Sequence, residues 1–174
     1  MYIMGVLIHP FILCGVSMKI IALSDNHGLL PKLNAIGDVL VMAGDWSPLS
    51  IQWSYLDMIT WIDDKFIPWM LGVNVSHIVF IPGNHDLVCT SKSFTRDFNK
   101  LLKKHHTNKI HFLNRSSIII DGIKFLAIYN DNKFFLQTSN RNNLILSNVS
   151  VINLILVSFL YNIPFLFFKL MLFS

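Results

Sequence analysis

Three short apolar runs, each ending in polar residues able to bind metal, constrain this chain more than any other feature. Lys19–Ser24 (KIIALS) leads into Asp25-Asn26-His27-Gly28, Asp38–Ala43 (DVLVMA) into Gly44-Asp45, and His77–Ile81 (HIVFI) into Pro82-Gly83-Asn84-His85-Asp86. Apolar runs of this length, closed by Gly or Pro, suit parallel strands covered on both faces. In an open parallel sheet, functional groups collect beyond the carboxyl ends of the strands. Three such runs can therefore deliver Asp, His and Asn side chains to one place. Each piece alone has a plainer explanation: an Asp after a strand is ordinarily a turn or a helix cap, and a single His ordinarily packs. Their order and shared placement make coincidence the poorer account.

Helical segments lie between and after these strands. Over Ser50–Gly72, the residues Leu56, Ile59, Ile62 and Phe66 fall at helical spacing, and Gly72 stands where a helix would stop. Ser91–His106 is a second expected helix, with Phe94, Phe98, Leu101 and Leu102 on one face. Its basic residues Arg96, Lys100, Lys103 and Lys104, together with His105, His106 and His111, read as a solvated face. Ser116–Ile120 and Ile123–Ile128 flank Asp121-Gly122, a strong hairpin signal. The alternation predicts an α/β fold, and no internal repeat interrupts it.

D-x-H, then G-D, then G-N-H-D, each after an apolar strand, resembles the pattern of the calcineurin-like metallophosphoesterases. Asp25 and Asp45 stand 20 residues apart, and Asp45 and Asn84 stand 39 apart, spacings short enough for compact crossovers. Within that family the chain is most similar to the small single-domain phosphodiesterases, in Gly37–Asp45, Ile81–Asp86 and the DGIKF of Asp121–Phe125. The resemblance runs from about Met18 to Ile128, and GNHD is its most specific part. It implies an α/β/β/α sandwich of two mixed sheets covered by helices, with the front half encoded here and an apolar C-terminal tail after it.

The same resemblance implies two divalent metal ions about 3.5–4 Å apart, with a phosphate polarised between them. Asp25 and His27 would bind the first metal, Asp45 would bridge both, and Asn84 would bind the second through its amide oxygen. Water activated by the metals would attack phosphorus. His85 would protonate the leaving alkoxide, and Asp86 would hold its ring in the productive tautomer. The mixed nitrogen and oxygen donors favour manganese, iron or zinc over calcium. The implied substrate is a phosphomonoester or phosphodiester, with identity set by loops outside the metal site.

The family pattern continues with further histidines, one alone and then a G-H-x-H pair, whereas this sequence has none after His111. The first metal would then keep Asp25, His27 and Asp45, and the second Asp45 and Asn84. The expectation is a crippled dinuclear centre, with a non-catalytic remnant as the alternative. Composition sharpens this. All ten acidic residues are Asp and lie between Asp25 and Asp131, residues 1–17 carry no Lys, Arg, Asp or Glu, and residues 142–174 carry only Lys169.

The chain is accordingly divided into an upstream extension (1–17, with Met18 as the natural start), the front part of the phosphoesterase domain (18–130), and a non-homologous apolar tail (131–174). The tail reads first as a truncated or frame-shifted sequence. A membrane helix over Val151–Phe168 is the second reading, near the roughly 18–20 residues a span needs but weakened by Asn153, Asn162 and Pro164; a buried core helix is the third. Residues 1–17 lack the basic start of a signal peptide. Cys14 and Cys89 form no C-x-x-C pair, so a reducing cytoplasm is the expected location. A net charge of +4 gives no specific expectation of nucleic acid. The oligomeric state is left open.

Overall fold

The computed structural model describes residues 5–13, 16–130 and 133–139, with side chains over 18–127. A five-stranded sheet has the order β1 (Gly5–Leu13), β2 (Val16–Ser24), β3 (Val39–Ala43), β4 (His77–Ile81), β5 (Ile110–Phe112). Strands β2 to β5 are parallel and β1 lies antiparallel on β2, so residues 5–13 of the segment read as an upstream extension form a sheet edge. A second sheet is an antiparallel meander of β6 (Ser117–Ile120), β7 (Ile123–Asn130) and β8 (Lys133–Ser139).

The three apolar runs of the sequence are β2, β3 and β4, and all five residues of β3 are buried. Alternation along them divides the core in two. Ile21, Leu23, Leu40, Met42, Ile78 and Phe80 pack against the helices. Met18, Ile20, Val39, Val41, Val79 and Ile81 pack against Ile120, Ile123, Phe125 and Ala127 of the second sheet. Helices, parallel sheet and second sheet thus form layers, as expected for the metallophosphoesterase sandwich. The Asp121-Gly122 hairpin is also present: both residues have positive φ (48° and 80°), and Ile120 pairs with Ile123.

The first helical segment departs from the expected pattern. It consists of α1 (Tyr55–Trp61), a π-helical turn (Ile62–Phe66) and α2 (Ile67–Gly72). Ser54 caps it by accepting from the Asp57 N–H. Leu56, placed by spacing on the buried face, is 73% exposed, and the buried residues are Ile67 and the four-residue repeat Met58, Ile62, Phe66 and Met70. A strict four-residue repeat drifts around an α-helix of 3.6 residues per turn. The wider turn, closed by the Ile67 N–H to the Ile62 carbonyl, reduces that drift. Pro68 lacks the N–H that an α-helix would offer to the Asp64 carbonyl, which gives the widening a local cause. Phe66 stacks on Trp46 at 4.8 Å and 4°, and on Trp61 and Trp69.

The second helix, α3 (Lys92–Lys104), matches its expectation, with Ser91 accepting from the Phe94 N–H and with Phe94 and Phe98 buried. The histidines after it need correction. His105 ends the helix half-buried, with Nε2 2.7 Å from Asp63 Oδ1, and His106 is exposed. His111 is not on the helix: it lies on β5, with Nε2 3.1 Å from Nδ1 of His77 on β4. Burial, and then His77, hold the His111 pKa below its ordinary value. β5 is three residues long and has too little periodicity to be read from sequence.

Asp63 ties the π-helical turn to the end of α3 through Lys104 and His105. The Lys104 hydrogen bond, then that of His105, lowers the Asp63 pKa. A depressed carboxyl contributes stability above its unfolded pKa and loses it as pH falls through the folded one. Asp63→Asn should therefore cost less than about 1 kcal/mol at pH 7, because the pair is partly solvated. Urea denaturation should show that difference closing in acid below the ordinary carboxylate range. Among the described residues no helix is long and apolar enough to cross a membrane. The segment Val151–Phe168 lies outside them.

Candidate metal centre

The loops that follow β2, β3 and β4 meet at the carboxyl edge of the parallel sheet. Asp25, His27 and Asp45 all adopt positive φ (55°, 42° and 52°), beside Gly28 at 83° and Gly44 at 96°. Left-handed backbone costs a residue other than glycine roughly 1–2 kcal/mol, so something must hold these three in place. Backbone bonds do, continuing the β2–β3 pairing past the strand ends. The Asp25 N–H donates to the Gly44 carbonyl (3.2 Å), that of His27 to Asp45 (2.9 Å) and that of Gly28 to Trp46 (3.0 Å).

The β4 loop is pressed against the same point. A Cβ on Gly83 would stand 2.1 Å from Asp45 Oδ1 and 2.3 Å from the Asp45 nitrogen. Only glycine allows this approach. It brings the His85 N–H to Asp45 Oδ1 at 2.8 Å, which fixes the carboxylate from the β4 side.

Asp25, His27 and Asp45 each present one ligand atom, and these atoms lie within 4.8 Å of one another. Both carboxylates are buried and His27 is half-buried. Burial pushes the Asp45 pKa up, the His85 N–H and ring oppose it, and Asp25 pushes it further up. Two adjacent carboxylates with little solvent and an imidazole beside them form a donor set that a divalent cation would stabilise. The residues therefore fit one such ion. Asn84 occupies the exposed turn between Gly83 and His85, on the loop that touches Asp45.

His85 stands edge-on to His27 with ring centroids 5.4 Å apart. The expected contact of its ring with Asp86 is replaced by another: His85 Nδ1 lies 3.0 Å from Oε1 of Gln52. Asp86 is wholly buried, and its carboxylate accepts from the N–H groups of Trp46 (3.3 Å), Ser47 (3.0 Å) and Gly83 (2.8 Å), and from the Ser47 hydroxyl. It joins the β3 loop to the β4 loop. Burial raises its pKa, and the hydrogen bonds of Ser47 and Gly83 oppose that rise. Gln52 and Ser47 were missed in the sequence. A polar Ser47 at a buried position beside the Gly44-Asp45 pair was a faint signal, whereas Gln52 gave none.

Two carboxylates and an imidazole at the carboxyl edge of a parallel sheet, with a second imidazole alongside, define a layered α/β protein with a candidate metal centre. The family model for calcineurin-like phosphoesterase matches residues 18–162, well over half of the sequence, and the chain belongs to that family. The match extends further toward the C-terminus than the motif resemblance, which ends near Ile128. A comparison with curated proteins gave no match. Membership implies phosphate-ester substrates and a metal-dependent centre, of the dinuclear kind typical of the family.

Proposed function

We propose that this chain is a cytoplasmic, metal-dependent hydrolase of phosphomonoesters or phosphodiesters, with one divalent cation well held and a second poorly held. What supports the reading is the convergence of Asp25, His27 and Asp45 within 4.8 Å at the meeting of three loops. Manganese, iron or zinc bound there would supply positive charge that polarises the phosphoryl group and acidifies water. Asp25 and Asp45 would balance that charge and His27 would add a nitrogen donor. Asp45 and Asn84 would hold the second ion. His85 delivers a proton from Nε2 to the leaving oxygen as the ester bond breaks. Asp86 keeps the β3 and β4 loops in register, which positions Asp45 and His85 together.

A second reading, a non-catalytic metal-binding chain, is favoured by one observation: no histidine follows His111 in this sequence to add to the donors Asp25, His27 and Asp45. One experiment separates the two. Manganese is titrated into the purified chain while melting temperature and hydrolysis of bis(4-nitrophenyl) phosphate are followed. Slow manganese-dependent turnover is expected, which His85→Ala should lower little for this ester, whose leaving group needs no proton, and about 100-fold or more for an alkyl phosphodiester. A manganese-induced rise in melting temperature with no turnover above background would leave the non-catalytic reading. Absence of both would remove the metal centre itself.

A further inference from the structure

We infer that Gln52 is a positioning residue that locks the His85 imidazole in one tautomer. The inference rests on the proposed role of His85 as proton donor. Its starting point is the 3.0 Å contact between His85 Nδ1 and Gln52 Oε1. An amide oxygen can only accept, so with Oε1 of Gln52 turned to the ring Nδ1 carries the hydrogen. In the neutral ring the lone pair is then confined to Nε2, and in the charged ring the proton given up is the one on Nε2. Each turnover therefore uses the same nitrogen, while the Nδ1–H stays bonded to Gln52. The His85 backbone is fixed independently by its N–H bond to Asp45 Oδ1, so the two contacts together set the position and rotation of the ring.

Gln52 is itself well anchored. It follows a 3-10 turn, Leu49–Ile51, and precedes the cap of α1. Ile51 packs against the helix-side core, its carbonyl accepts from the Ser54 N–H at 2.9 Å, and the Ser54 hydroxyl caps the helix. The half-buried amide is thus carried on a short segment pinned at both ends. Asp86, the neighbouring carboxylate, is already bonded to Trp46, Ser47 and Gly83. A neutral amide in this role fixes the tautomer without adding a third carboxylate to a centre that already holds Asp25 and Asp45.

The test is long-range 1H–15N NMR on the full, metal-free chain with 15N-labelled histidine, at a pH where the ring is neutral. His85→Ala identifies the His85 signals. The expected result is the Nδ1–H tautomer in the wild type, a shift toward the Nε2–H form in Gln52→Leu, and retention of Nδ1–H in Gln52→Glu, which keeps the acceptor. A wild-type ring already in the Nε2–H form, or a tautomer unchanged by Gln52→Leu, would overturn the inference.

With manganese added, Gln52→Leu should lower kcat about 10-fold or more for alkyl phosphodiesters and little for 4-nitrophenyl esters, whose leaving group needs no proton. Gln52→Glu should recover most of the alkyl rate. A loss equal for both esters would overturn the positioning role. If the wild type shows no turnover, the enzymatic reading fails while the NMR result still decides the tautomer.

Discussion

Asp45→Asn should abolish the manganese-dependent rise in melting temperature and lower turnover by about two to three orders of magnitude, while leaving the metal-free fold at least as stable as the wild type. The first half follows from position. Asp45 is the residue that both neighbouring loops grip, through its carbonyl to the His27 N–H and through Oδ1 to the His85 N–H. Removing its charge removes the group shared between the proposed metal positions, and losses of about 100- to 1,000-fold follow when one preorganised electrostatic contact at a reacting centre is deleted. A cation at 100 times its Kd stabilises a fold by about 2.7 kcal/mol, which for a domain of this size is a rise of roughly 5–10 °C.

The second half follows from burial. Because the folded pKa of Asp45 is raised, chiefly by desolvation, the metal-free wild type loses stability as pH rises through that value. Asparagine is neutral throughout, tolerates the left-handed backbone at this position, and can still accept the His85 N–H. Thermal melts with and without manganese at pH 7 check both halves. An unchanged manganese response in Asp45→Asn would refute the assignment of this residue as a ligand.

Asp86→Ala should destabilise the chain by about 3–5 kcal/mol, the scale for deleting one partner of a buried charged network. Three backbone N–H groups and the Ser47 hydroxyl would lose the one carboxylate that satisfies them, in a place that water does not reach. The β3 and β4 loops would then separate at the point where Gly83 lies against Asp45, so metal affinity should fall with stability. A residue that merely oriented the His85 ring would behave differently, lowering kcat with little change in the urea midpoint. Urea denaturation of the metal-free variant distinguishes the two. A midpoint within the equivalent of about 1 kcal/mol of wild type would refute the bracing role.

Much of this molecule can be read before it is folded, and the reasons are local. β2, β3 and β4 were legible because strands covered on both faces must be apolar at every position, which leaves continuous runs such as Val39–Ala43. α3 was legible because Ser91 is a good cap and Phe94 and Phe98 are one turn apart. The hairpin was legible because Asp121-Gly122 accepts positive φ at both residues. The face of the first helix was misjudged at Leu56, which stands two residues from Met58 and so across the α-helix from the buried stripe of Met58, Ile62, Phe66 and Met70. β5 escaped because three residues cannot establish a period, and His111 was placed on a helix for the same reason.

The sequence by itself determined three of the four parallel strands, β2, β3 and β4, and which residues stand at their carboxyl ends. Both are written in adjacent residues, as hydrophobicity and chain order. Asp25, His27 and Asp45 therefore named themselves as candidates for a metal. Only the tertiary structure decided what each neighbouring polar group does. Asp86 follows His85 directly, yet its carboxylate bonds to Trp46, Ser47 and Gly83, while the ring of His85 meets Gln52. Such partners are chosen by how loops from different strands pack, through close approaches like that of Gly83 to Asp45. Distance along the chain carries no information about them.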